Sequence, residues 1–209
     1  MNFKLIVIGT SFGGLEALKI LISPLPKTFS IPLAVVIHRH KESDDSLVKI
    51  LQKNSSLIIK EVEDKEDILP GYVYLAPANY HLLIEKKLHF ASKIYPQRDD
   101  FLPNIQTYFS LSIDAPVSYA RPAIDVLFET AADCYGEKLI AIILTGANQD
   151  GVNGMRKIKG RGGLNVVQEP KTALCATMPT AAIAAGITDK ILSLTEIPPF
   201  LIKMCHQQG

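Results

Sequence analysis

The chain sets short, continuous apolar runs against stretches of helical period. Residues 3–8, Leu33–Ile37, residues 139–144 and residues 164–167 are rich in Ile, Val and Leu. They are apolar at nearly every position rather than every second one, which predicts strands buried on both faces, as in a parallel sheet. Gly14–Ile22 places Leu15, Leu18, Leu21 and Ile22 at helical spacing and is closed by Pro24 and Pro26. Residues 121–135 repeat the pattern at Ile124, Leu127, Phe128 and Ala131, with Pro122 suited to a first helical turn. Strands alternating with helices predict an α/β fold with a doubly wound, mostly parallel sheet.

The middle of the chain is less regular. Residues 71–76, 81–84 and 88–90 predict short strands with turns at Ala78-Asn79 and Lys86-Lys87, forming a short antiparallel hairpin insert. Residues 97–114 mix charge, Pro103, Tyr and Phe without a period, and predict a long loop or flap. No repeat, low-complexity tract or linker divides the chain, so residues 1–209 are expected to be one catalytic domain.

Composition narrows the function classes. At 209 residues and 47% hydrophobic, the chain can bury a substantial core. Its 22 Lys and Arg offset 21 Asp and Glu, and a formal charge of +1 argues against broad capture of nucleic acid or an anionic membrane. No apolar run approaches the ~20 residues of a bilayer span. The first run lacks a basic leader and breaks at Gly9, so neither a signal peptide nor membrane insertion is expected. Cys134, Cys175 and Cys205 are too scattered for a disulfide framework or a CxxC metal site, which fits a reduced cytoplasm.

Candidate chemistry gathers at strand ends. Gly9-Thr10-Ser11-Phe12-Gly13-Gly14 lies between a predicted strand and a predicted helix, where a sharp turn can project the Ser11 hydroxyl and the helix N-terminus can face an oxyanion. The same residues also suit a plain glycine-rich turn with a capping serine. His38 leaves the end of Leu33–Ile37 and is the candidate base; His40, of the same parity, is a rival. Asp150 follows residues 139–144 through a short loop and either orients His38 or caps the helix that begins near Val152. All three emerge at carboxyl ends of strands, where open α/β sheets bind ligands. The order Ser, His, Asp differs from the Ser, Asp, His order of α/β-hydrolases. Arg121 and Asp125, four apart, read most simply as a surface pair on a helix, with a site role left open. Residues 61–67 read as a solvated acidic turn, and His81 and His89 as ordinary strand residues outside any metal spacing.

Five ordered blocks carry a resemblance to a known family. They are Ile8-Gly9-Thr10-Ser11-Phe12-Gly13-Gly14 with Ile37-His38; residues 69–77 with His81-Leu82; residues 121–128; Ile143-Leu144-Thr145-Gly146 through Asp150-Gly151; and Met178-Pro179 with Ala182-Ile183. Across most of the chain they resemble the catalytic domain of CheB-type chemotaxis protein-glutamate methylesterases. The resemblance implies Ser11 as nucleophile, His38 as general base and Asp150 as orienting acid. It also implies hydrolysis of glutamate γ-methyl esters, with deamidation of glutamines, on a methylated protein such as a chemoreceptor cytoplasmic helix. Phe12, Arg39-His40 and Ala147-Asn148-Gln149 depart from the family's usual small residue, Met-Pro and Met-Gly-Asn. Arg39 would set a cation beside His38 unless it points to solvent or pairs with an acid such as Asp150.

The expected activity is therefore serine carboxyl-ester hydrolysis without metal or cofactor. Two other classes stay open at this point: a nucleotide-binding domain with Gly9–Gly14 as a phosphate loop, and an inactive protein-binding scaffold. The first lacks the second glycine of GxGxxG and an acidic residue after strand two. In the family a receiver domain commonly precedes the esterase, whereas here the first strand is expected almost directly after Met1.

Overall fold

The computed structural model describes residues 2–39, 46–89 and 104–206. Seven parallel strands form its main sheet: β1 (Leu5–Thr10), β2 (Leu33–Ile37), β3 (Ile58–Glu61), β4 (Tyr72–Leu75), β7 (Leu139–Ile143), β8 (Leu164–Gln168) and β9 (Lys190–Leu192). Their order is β3-β4-β2-β1-β7-β8-β9. The chain thus winds outward from β1 in one direction and later returns to pair β7 with the other edge of β1.

Side-chain alternation divides the core into two layers. On one face, Ile6, Ile8, Leu33, Val35, Ile140 and Ile142 meet α1 (Gly14–Ile22), α2 (Ser46–Gln52) and α6 (Ile197–His206) through Leu18, Leu21, Ile22, Leu51, Ile197 and Leu201. On the other, Leu5, Val7, Ala34, Val36, Leu139, Ala141 and Ile143 meet α3 (Ile124–Tyr135), α4 (Val152–Gly160) and α5 (Thr177–Ala184). Both faces of the central strands are fully buried, which is why their sequences are apolar at nearly every position.

The middle of the chain departs from expectation. Residues 72–75 belong to the parallel sheet, between β3 and β2, and not to the insert. The insert is instead a long hairpin of β5 (His81–His89) and β6 (Asn104–Ser112), antiparallel in unbroken register. No turn interrupts β5 at Lys86-Lys87, and much of the expected 97–114 loop is strand; residues 97–103 lie outside the described residues. The hairpin is held by packing that sequence periodicity does not reveal: Leu82, Ile84 and Phe109 are buried in the α3 layer. Glu61, expected in a solvated acidic turn, ends β3 and faces Arg39.

The start of α3 also differs. Ala123 is its extended N-cap, so Pro122 lies before the helix and Arg121 is not a helical neighbour of Asp125. Arg121 donates to Asn79 Oδ1 and to the carbonyls of Ile113 and Asp114. Asp125 is buried, and its Oδ1 accepts the Gly154 N–H at 2.8 Å while Oδ2 accepts Asn153 Nδ2 at 3.2 Å. It thereby caps α4 from a neighbouring helix. Burial raises the Asp125 pKa, the Gly154 and Asn153 hydrogen bonds oppose the rise, and the Asp150 charge adds to it.

Losing both acceptors in Asp125→Ala should cost about 1–2 kcal/mol of stability, the range for a lost helix cap. A carboxyl with a raised folded pKa contributes stability below its unfolded value and loses it as pH rises through the folded value. Asp125→Asn keeps an acceptor for Gly154 and has no such titration. Its stability relative to the natural chain should therefore climb as pH is raised from about 4 to 7, read by urea unfolding at each pH.

Candidate active site

Three neighbouring strand ends build the site. β1 delivers Ser11, β2 delivers His38, and the β7–α4 loop delivers Asp150, at the point where the chain reverses its direction of winding. Backbone hydrogen bonds continue the sheet past the last strand residues: His38 N–H donates to Thr10 O at 3.1 Å and Ser11 N–H to Thr145 O at 3.0 Å.

Thr145 ties the site together. Its carbonyl also accepts Thr10 Oγ1, its hydroxyl donates to Phe12 O at 2.9 Å and accepts Cys175 N–H, and its own N–H is held by buried Gln168. The next residue must be small. A Cβ on Gly146 would stand 3.1 Å from Ser11 Cβ and 3.0 Å from Met178 Sδ. Gly13, at φ +81°, makes the turn that starts α1. The Phe12 and Gly13 N–H groups take no acceptor among the described residues, which leaves two donors at the positive end of α1 beside Ser11. Phe12 is 63% exposed and Leu174 71%, forming an apolar lip on this side of the serine.

Asp150 is wholly buried and faces three donors. Oδ2 accepts Ile124 N–H at 2.7 Å and His38 Nε2 at 2.8 Å, while Oδ1 accepts Asp125 N–H at 2.9 Å. The helix that Asp150 caps is α3, whereas the N-cap of α4 is Gly151. The same two oxygens thus meet His38 and cap a helix, but the expected cap of the helix that begins near Val152 is not made: the capped helix is α3.

The structure joins His38 to Asp150 and sets Ser11 at the adjacent strand end. No hydrogen bond links Ser11 to the imidazole among the described residues. The second ring nitrogen, Nδ1, meets Asn148 Nδ2 at 3.0 Å, a contact absent from the sequence reading. His40, the rival base, lies outside the described residues. Arg39 turns away from Asp150: its side chain is only 8% exposed, ion-paired with Glu61 and bonded to Ala76 O. His81 is buried rather than ordinary, bonding Ala115 O through Nε2 and accepting Ala123 N–H at Nδ1. A cavity of about 560 Å³ opens beside His38, lined also by Arg39, Tyr119, Arg121, Pro122 and Asn148.

A doubly wound sheet with a serine turn after its central strand and a His–Asp pair beside it is the framework of a carboxyl-ester hydrolase. Residues 6–201 match the family model described as CheB methylesterase. A Leptospira interrogans protein, named provisionally as a protein-glutamate methylesterase/protein-glutamine glutaminase, is 47% identical over 204 residues, covering 98% of this chain and 96% of that protein. The Thermotoga maritima protein of that name is 35% identical over 201 residues, which are 54% of its length. The crystal structure of the Thermotoga maritima CheB methylesterase catalytic domain superimposes with a TM-score of 0.85 at 34% identity, covering 98% of this chain and all of that one. This chain belongs to the CheB methylesterase family. Membership favours neither the phosphate-loop nor the inactive-scaffold reading. Among the described residues no helix is long and apolar enough to cross a membrane.

The Arg39–Glu61 pair sits one residue from His38, and removing one partner strands a charge that the fold has already desolvated. Glu61 is 28% exposed, which reduces the penalty, so Glu61→Ala should cost about 1–3 kcal/mol. The double variant Arg39→Met with Glu61→Ala should recover most of that loss in urea unfolding.

Proposed function

We propose that residues 1–209 form one catalytic domain that hydrolyses protein glutamate γ-methyl esters through an acyl-enzyme on Ser11. The observation that carries the reading is the His38–Asp150 hydrogen bond, held at the strand end next to the Ser11 turn. Ser11 Oγ attacks the ester carbonyl as His38 takes its proton, and the Phe12 and Gly13 N–H groups face the oxyanion. The tetrahedral adduct collapses with loss of methoxide, which takes the proton from His38 and leaves as methanol. Water, deprotonated by His38, then attacks the acyl-serine and releases the free carboxylate and Ser11. The same steps on a glutamine carboxamide would release ammonia. The partner in this reading is a methylated protein, a chemoreceptor cytoplasmic helix, met in the cytoplasm without metal or cofactor.

Methanol release from a γ-methyl-glutamyl peptide tests the proposal. Ser11→Ala should lower turnover by a factor on the order of 10⁴ or more while leaving thermal unfolding unchanged, and His38→Ala should match it, because residues acting as a unit lose activity together. Unchanged turnover in Ser11→Ala would exclude the serine mechanism. Asp150→Asn should reduce kcat by roughly 10² to 10⁴, and it should also destabilise the fold, since an amide offers one acceptor where three donors converge.

A further inference from the structure

The hydrogen bonds around His38 close into a ring that includes Asn148. Asn148 Oδ1 accepts the N–H of Asp150 at 3.2 Å, which fixes the amide orientation and turns Nδ2 toward the imidazole. Nδ2 donates to His38 Nδ1 at 3.0 Å. A donor at Nδ1 requires that nitrogen to hold the lone pair, so the ring proton resides on Nε2, where Asp150 Oδ2 accepts it at 2.8 Å. Both ring nitrogens are thereby committed within one loop. The lone pair able to take a proton from Ser11 is the one that Asn148 covers.

We propose that Asn148 is a positioning residue, a displaceable latch that holds His38 in its Nε2–H form and yields Nδ1 to the Ser11 hydroxyl when substrate fills the cleft. The inference rests on His38 being the base. Asn148 lines the cavity beside His38, so a molecule that fills this cavity meets its amide. The latch is a neutral hydrogen bond, whose net strength in water corresponds to a factor of about 2 to 12. It is strong enough to fix a tautomer and weak enough for a bound substrate to replace.

The test follows Ser11 labelling by a small fluorophosphonate, with no peptide present, alongside the ¹⁵N spectrum of the His38 ring. Asn148→Ala should label about 2- to 12-fold faster than the natural chain and lose the bonded-Nδ1 signature. Asn148→Asp keeps an oxygen for the Asp150 N–H but cannot donate to Nδ1. It should protonate Nδ1 and label at least about tenfold more slowly. A residue that only shapes the turn would tolerate Asp, so an Asp variant with the natural spectrum and rate overturns the proposal, as does an Ala variant that labels no faster. Adding His38→Ala should abolish the gain from Asn148→Ala. If His38→Ala alone leaves labelling intact, the base assignment fails instead, and the latch with it.

Discussion

One carboxylate joins the fold to the chemistry. Asp150 has two oxygens and three donors, two of them the backbone N–H groups that open α3 and the third the His38 ring. Helix ends leave such N–H groups without partners, and a buried one is costly. The charge that would be expensive in an apolar interior is here matched on every side. The same contacts that settle α3 against the sheet therefore fix the distance and direction of the imidazole. Asp125 returns the arrangement by capping α4 through Gly154, so the two helices flanking Asp150 are cross-tied at their N-termini.

Much of this was legible in the chain. Continuous apolar runs identified β1, β2, β7 and β8 to within two residues, because burial on both faces leaves room for few polar positions, Thr10, Asn165 and Gln168 being buried exceptions. Ser11, His38 and Asp150 could be picked out as candidates at neighbouring strand ends because each follows such a run. What was not legible depends on distant partners. β9 is three residues long and mostly exposed, so no periodicity marks it. β4 resembles a hairpin strand in isolation, and only its pairing with β2 and β3 places it in the main sheet. The Arg121–Asp125 spacing suggested a surface ion pair, but the helix begins at Ile124, and Asp125 turns inward to α4. Nothing local distinguishes an aspartate that caps its own helix from one that caps another, and Asn148 acquires its partner only when β2 and β7 are brought together across β1.

The positions at which the sequence departs from the family pattern are structurally specific. Arg39 is drawn off by Glu61 and does not add a free cation at the imidazole. Phe12 turns outward into the apolar lip with Leu174. Asn148 reaches back to His38. The altered positions thus border the His–Asp pair without disrupting it.

The position of β1 has a consequence for how the chain is made. It precedes both of its partners in the chain, yet it needs β2 on one edge and β7 on the other. Until residue 143 leaves the ribosome, the run Leu5-Ile6-Val7-Ile8 offers an unpaired, wholly apolar edge, a template that other nascent chains can join. Asp150, which meets the His38 ring in the folded chain, follows β7 and emerges after it. The docking of β7 therefore closes the open edge of β1 and brings the loop that carries Asp150 to His38 in one late event.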